Sequence, residues 1–170
     1  DNVSIRGNGN ATVLKRMWDS STGEGVITLT SVEGCRIENL QIDGNKATYT
    51  SNNNHGIRLY SSSNNMVTGN TCNNNNYHGI HLSTSSSNNT VTGNTCYNND
   101  YGIRLYSSSN NNTVTGNTCG NNNHSGIYLY SSSNNTITAN TCIRGTGTPE
   151  DYTTNQHTII LVGTDNNYNL

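Results

Sequence analysis

The sequence predicts an all-β fold, a single right-handed parallel β-helix solenoid whose coils of about 23 residues each carry three short strands. Three observations predict it. First, the phrase Gly-Ile-X-Leu recurs as Gly56-Ile57-Arg58-Leu59, Gly79-Ile80-His81-Leu82, Gly102-Ile103-Arg104-Leu105 and Gly126-Ile127-Tyr128-Leu129, at spacings of 23, 23 and 24 residues. Second, each copy leads through a Ser/Asn turn into a short apolar-polar run and then a Gly-Asn-Thr-Cys phrase. The runs begin with Met66-Val67-Thr68, and the phrase appears at Gly69–Cys72, Gly93–Cys96 and Gly116–Cys119, with Ala139 replacing the glycine before Asn140–Cys142. Third, no segment shows a 3.6-residue apolar period, and the density of Asn and Gly disfavours helices. A unit this small cannot bury an apolar face alone, so its copies must stack.

Taken in order, the chain reads as one domain over residues 1–170. Degenerate coils occupy 1–55, regular repeats 56–142, and a long turn with a last partial coil 143–170. Val3-Ser4-Ile5 is expected to match Leu40-Gln41-Ile42, because a Gly-Asn pair follows soon after each. Val26-Ile27-Thr28-Leu29, with Cys35-Arg36-Ile37 after it, forms an earlier coil. Longer turns interrupt at Asp43–His55 and at Ile143–His157, the latter holding the one proline. Ile159-Ile160-Leu161 opens a last coil, making six first strands in all.

Strand side chains alternate between faces. Ile57 and Leu59 therefore point into the core, and Arg58 and Tyr60 point out. Composition agrees with a narrow core: 29% of residues are hydrophobic and none is Phe. With 8 Lys+Arg against 10 Asp+Glu the net charge is −2, which argues against nucleic acid as a partner. There is no apolar run long enough for membrane insertion. The absence of an initiator Met at Asp1 suggests a processed chain or a fragment.

Two residue columns are expected to be structural. Asn70, Asn94, Asn117 and Asn140 recur at 24, 23 and 23 residues, and stacked amides can bond to one another along the axis. Cys72, Cys96, Cys119 and Cys142 form an inward column in line with Ile42. Three readings compete for it. A linear stack does not supply tetrahedral metal ligands, and in-register neighbours hold their Cβ atoms too far apart for good disulfides. Buried free thiols acting as small hydrophobes are favoured. Cys35 is expected on a turn, off this column. Glycosylation sequons occur at Asn2, Asn10, Asn88, Asn111, Asn123 and Asn134, three of them in the same turn of successive coils. Turn chemistry alone also enriches these residues.

The Asn-Asn-Thr-Val-Thr-Gly-Asn-Thr phrase together with Gly-Ile-X-Leu resembles the repeats of the pectate-lyase-like superfamily. It is most similar to the Asn-rich branch that includes NosD-like periplasmic proteins, archaeal surface proteins and phage tail-spike modules. The resemblance spans nearly the whole chain and implies an internal asparagine ladder and a location outside the cell or at its surface. It also implies that the outward face of the first strand carries any chemistry. That face reads Thr28, Arg58, His81, Arg104, Tyr128 in one column and Thr30, Tyr60, Ser83, Tyr106, Tyr130 in the next, with His55, His78 and Tyr101 at its margin.

Two function classes follow. In the first, the chain is an extracellular structural solenoid that stacks end to end into a filament or surface assembly. No capping helix is visible at either end, and open coils expose unpaired strand edges. In the second, it is a polysaccharide-binding or polysaccharide-processing module of lyase, epimerase or tail-spike type. Arg58, Tyr60, His81, Arg104, Tyr106, Tyr128 and Tyr130 would then meet the sugar, since tyrosine faces stack on sugar rings and arginine pairs with uronate carboxylates. No catalytic residue is assigned: Asp43 and Asp100 are isolated, and no acidic cluster suits calcium. No cofactor and no metal site are expected. For copper of the NosD kind, His55, His78, His81 and His124 read as scattered and two Met are too few.

Overall fold

The computed structural model describes residues 1–51, 53–144, 159–162 and 167–169. Those residues wind as a right-handed parallel β-helix. The six first strands, Gly25–Thr30, His55–Tyr60, His78–Ser83, Tyr101–Tyr106, Ser125–Tyr130 and Ile159–Val162, form one sheet in that order. The second strands (Met66–Thr68, Thr90–Thr92, Thr113–Thr115, Thr136–Thr138, Asn167–Asn169) and the third (Thr71–Asn73, Thr95–Tyr97, Thr118–Asn122, Thr141–Arg144) stack separately. Both stacks meet on the longer strand Arg36–Asp43, which supplies a second and a third strand without a break.

Register follows the repeat. Ile57, Ile80, Ile103 and Ile127 form one inward column, and Leu59, Leu82, Leu105 and Leu129 the next. Ile37, Val67, Val91, Val114 and Ile137 form a third column. The cysteines continue the column of Ile42. All but Cys142 are fully buried and belong to one continuous cluster. Each buried Ile, Leu or Val contributes roughly 1.5–3 kcal/mol. The core is narrow, and the asparagines close it.

There are three asparagine ladders where the sequence suggested one. In the first, the Oδ1 atoms of Asn94, Asn117 and Asn140 each accept the backbone N–H and the side-chain amide of the asparagine one coil earlier, at 2.9–3.1 Å. Asn65, Asn89, Asn112 and Asn135 repeat the pattern at the corner before the second strand. Asn75, Asn99 and Asn122 repeat it after the third. The last ladder also helps account for Gly56, Gly79 and Gly102 near the start of three first strands: a Cβ on Gly79 would lie 2.7 Å from the Gly102 carbonyl and 2.9 Å from the Asn99 amide.

One expectation is corrected. Val3-Ser4-Ile5 does not stack on Leu40-Gln41-Ile42; Ser4 pairs with Arg36 and Ile5 with Ile37. Irregularities between Arg6 and Val13 absorb the extra residues of this strand, so that Leu14 sits on Ile42. The local Gly-Asn similarity misled because the strand has to cover the whole length of Arg36–Asp43, not its end alone. Cys35 lies on the turn before Arg36–Asp43, off the cysteine column, as expected. It is buried at the head of the second ladder, its N–H donated to Asn65 Oδ1 at 2.8 Å.

The long turn after Asp43 folds back against residues 19–24. Asn54 is fully buried; its Oδ1 accepts the Ser20 N–H and its amide donates to Asp19 Oδ1 and to the Tyr49 carbonyl. This pins a loop beside the first-strand face. The turn expected over Ile143–His157, beyond Arg144, and the terminal Leu170 lie outside the described residues.

Candidate functional site

The two outward columns pair as their repeat positions require: Thr28, Arg58, His81, Arg104, Tyr128 and Thr30, Tyr60, Ser83, Tyr106, Tyr130. Tyr60, Tyr106 and Tyr130 are exposed, and Tyr106 stacks on Tyr130 with centroids 5.4 Å apart. The other end of the face is more deeply set. His55, His78 and His81 are 2%, 0% and 6% exposed, and His55 and His81 stand at the bottom of a groove of about 300 Å³ that opens to solvent.

A glycine brings the histidines together. Gly79 and Ile80 both face inward, since a Cβ on Gly79 would meet the Cys96 Cβ at 3.2 Å and Ile80 is fully buried. Alternation therefore slips by one at this corner, and His78 lands on the same side as His81. His55, one repeat earlier, stacks on His81 with centroids 4.7 Å apart. The His78 ring stands edge-on to His81, also at 4.7 Å. One potential ligand atom from each of the three lies within 4.8 Å of the other two. The expectation of scattered histidines is thus corrected for these three. His124 does stand apart, its Nε2 3.1 Å from Asp100 Oδ1.

The surroundings are cationic. Arg16, fully buried, donates from Nη2 to the carbonyls of Glu24 and His55 at 2.9 and 2.8 Å, and its guanidinium lies 4.8 Å from the Trp18 ring centroid. Arg58 donates to the Gly23 carbonyl and lies over Tyr60 at 4.7 Å. Arg104 sits among Tyr77, Tyr101, Tyr106 and Tyr128 at 4.4–5.8 Å, and its Nη1 lies 3.0 Å from His78 Nε2. Burial, then the charges of Arg58, Arg16 and Arg104, push the His55 imidazole down to about 3. Burial first, then neighbouring histidines and Arg104, likewise hold His78 and His81 well below the usual histidine range. All three are neutral at neutral pH, the form in which imidazole ligates a metal.

Hydrogen bonding is incomplete here. Among the described residues, Nδ1 of His55, Nδ1 of His78 and both ring nitrogens of His81 are buried without a partner. A buried polar atom left unpaired costs about 1–3 kcal/mol. Such a concentration in one place marks these imidazoles as candidates for a role beyond packing. Sequence alone did not reveal this pocket, although it held a signal: His55 and His78 are one repeat apart, and His81 follows His78 across a glycine.

Other predicted positions stand away from the pocket. Beside it, a groove of about 610 Å³ is lined by Trp18, Glu24, Thr28, Thr30, Arg58 and Tyr60, and sequence reading had given Trp18 no part. The sequon asparagines Asn88, Asn111 and Asn134 are exposed, each with φ of 56–58°, in the turn preceding a ladder asparagine; Asn2, Asn10 and Asn123 are exposed elsewhere. All five cysteines are free thiols. Hydrogen bonding to Cys119 favours the Cys96 thiolate, but the bond with Cys72 and burial outweigh it and push that thiol well up.

Comparison with known proteins gives three findings. The family model described as periplasmic copper-binding protein (NosD) matches residues 2–169. No curated protein matches. Among solved structures, a double mutant of the periplasmic alginate epimerase AlgG superposes with a TM-score of 0.59 at 19% identity, covering 93% of this chain and 47% of its own. A single mutant of the same epimerase gives 0.57 at 19%, covering 92% and 46%. The chain thus spans about half the length of these structures, and the likeness is one of fold. The family's periplasmic description agrees with a location outside the cytoplasm.

Proposed function

The chain belongs to the NosD family, and from that premise we propose that it is a periplasmic copper-binding β-helix whose ion is held by His55, His78 and His81. The observation that carries this reading is the convergence of three buried, neutral imidazoles, each with at least one ring nitrogen that has no hydrogen-bond partner. Imidazole is a good ligand for copper. The repeat explains the rigidity of the site, because His55, His78 and His81 stand on two adjacent hydrogen-bonded strands. Bound copper would partner one nitrogen of each imidazole. What the chain contributes is placement, a Tyr77 ring stacked on His78, and, among the described residues, a ligand set of three imidazoles. Titration of the folded chain with copper should show one tight site, and the variant carrying His78→Ala and His81→Ala should lose it. Unchanged stoichiometry and affinity in that variant would remove the reading.

A second reading is favoured by the groove beside the histidines. Trp18 and Tyr60 offer aromatic faces, while Glu24, Thr28, Thr30 and Arg58 offer hydrogen bonds, a combination suited to a sugar. Retention on uronate-rich polymers that falls with salt, and is lost on replacing Trp18 and Tyr60 by Ala, would support it. No retention by the unmodified chain would end it. End-to-end stacking is a separate proposal, supported by the exposed apolar Val3 and Ile5 on the first coil. Sedimentation coefficients that rise with concentration would support it, and a monodisperse monomer would dismiss it.

A further inference from the structure

We infer that Arg104 competes with the metal ion for His78, so that loading the site requires this guanidinium to let go. The inference rests on the copper reading above and adds a residue that controls it. The geometry is a single contact: Arg104 Nη1 lies 3.0 Å from His78 Nε2. Arginine has five donors and no acceptor, so in this contact the imidazole nitrogen accepts. A neutral imidazole that accepts at Nε2 carries its proton on Nδ1.

Both routes to a metal bond then conflict with Arg104. Coordination through Nε2 uses the lone pair that the guanidinium occupies. Coordination through Nδ1 requires the proton to leave that atom; if the ring stays neutral the proton moves to Nε2, and an Nε2–H offers nothing for a guanidinium to donate to. In either case the Arg104–His78 hydrogen bond and the metal–His78 bond exclude each other. His55 and His81 face no such competitor: His81 has no hydrogen-bond partner at either nitrogen, and the arginine that touches His55 bonds its backbone carbonyl.

Arg104 has somewhere to go. The rings of Tyr106, Tyr128 and Tyr101 lie 4.4, 5.5 and 5.7 Å from its Cζ, and their faces can hold a cation released from His78. Tyr77, which also contacts Arg104 through its hydroxyl at 3.2 Å, stacks directly on His78 at 3.6 Å. The charged groups that act on the three imidazoles are Arg16, Arg58 and Arg104, with His124 acting on His78; no carboxylate is among them. Asp100 offsets Arg104 from its own side, and Glu24 offsets Arg16 and Arg58. Arg104 therefore lowers the affinity of the empty site twice over, by occupying a ligand and by its charge, and it yields when the ion arrives.

The test compares the unmodified chain with Arg104→Met, which keeps length and packing among the tyrosines but cannot donate, and with Arg58→Met, which removes a nearby charge that touches no imidazole nitrogen. Copper(I), kept reduced and competed with a chromophoric chelator, is the probe. Arg104→Met should bind roughly ten- to a hundredfold more tightly than the unmodified chain, as expected for loss of one charge-assisted hydrogen bond, and Arg58→Met should gain less. Nitrogen-15 NMR of the histidine rings reads the same bond with no variant at all. His78 of the metal-free chain should be protonated on Nδ1 and should change state on loading. Equal affinity in the unmodified chain and Arg104→Met, or a metal-free His78 protonated on Nε2, would overturn the competition while leaving the copper site standing. Absence of binding in both proteins would instead bring down the copper reading and this inference together.

Discussion

Two regions of one coil obey opposite rules. On the asparagine side, polar groups are buried and nearly all paired. Asn94, for example, accepts from both nitrogens of Asn70 and donates to Val67 O, Thr92 O and Asn117 Oδ1. On the histidine side, rings equally buried leave four nitrogens unpaired among the described residues, and His78 Nε2 meets only Arg104. One ladder end shares this defect, Asn75 Oδ1, which has no asparagine before it in its column. The difference teaches where the repeat serves the fold and where it serves something else. Stacking a coil requires satisfied amides, whereas orphaned imidazoles have no structural purpose, and departures from local consistency tend to mark function.

The comparison is broken most severely by Asn94→Ala. It strands the Asn70 N–H and the Val67 carbonyl inside the helix, and chemical denaturation should show a loss of about 3 kcal/mol. His81→Leu should act in the opposite direction. Replacing two unpaired nitrogens by an apolar side chain of similar size should raise the stability of the metal-free chain by about 1 kcal/mol, while copper binding is lost. If His81→Leu destabilises as Asn94→Ala does, the histidines are structural and the contrast collapses.

Much of the fold was legible in the sequence because in-register stacking converts a repeat directly into a column. Ile57, Ile80 and Ile103, or Cys72, Cys96 and Cys119, could be placed from spacing alone. Irregular residues were not legible for the same reason. Ser4–Lys15 has no counterpart in the regular coils, and its register depends on where extra residues bulge. The site was half legible. Arg58, His81 and Arg104 fell in the predicted column and His55 and His78 at its margin, but spacing did not show that the inward turn of Gly79 brings their rings together. Arg16 and Trp18 reach the face from a loop whose path no repeat encodes.

Smaller effects sharpen the same contrast. Cys72, Cys96 and Cys119 are fully buried and Cys35 nearly so, while Cys142 is partly exposed at the edge of the column. A thiol reagent applied to the folded chain should therefore modify Cys142 first, as peptide mapping by mass spectrometry would show; early labelling of Cys35 would mean the head of its ladder opens readily. Arg6→Ala should change stability least of all. Its ion pair with Glu38 spans 3.5 Å with the arginine side chain 72% exposed, and thermal unfolding should register no more than about 0.5 kcal/mol.

X-ray absorption on the copper-loaded chain distinguishes the proposed histidine site from the column of thiols most directly. The account predicts a first coordination sphere of nitrogen with the outer-shell scattering of imidazole rings, lost when His55, His78 and His81 are replaced together by Ala. Sulfur in the first sphere, or a spectrum unchanged in that triple variant, would contradict it.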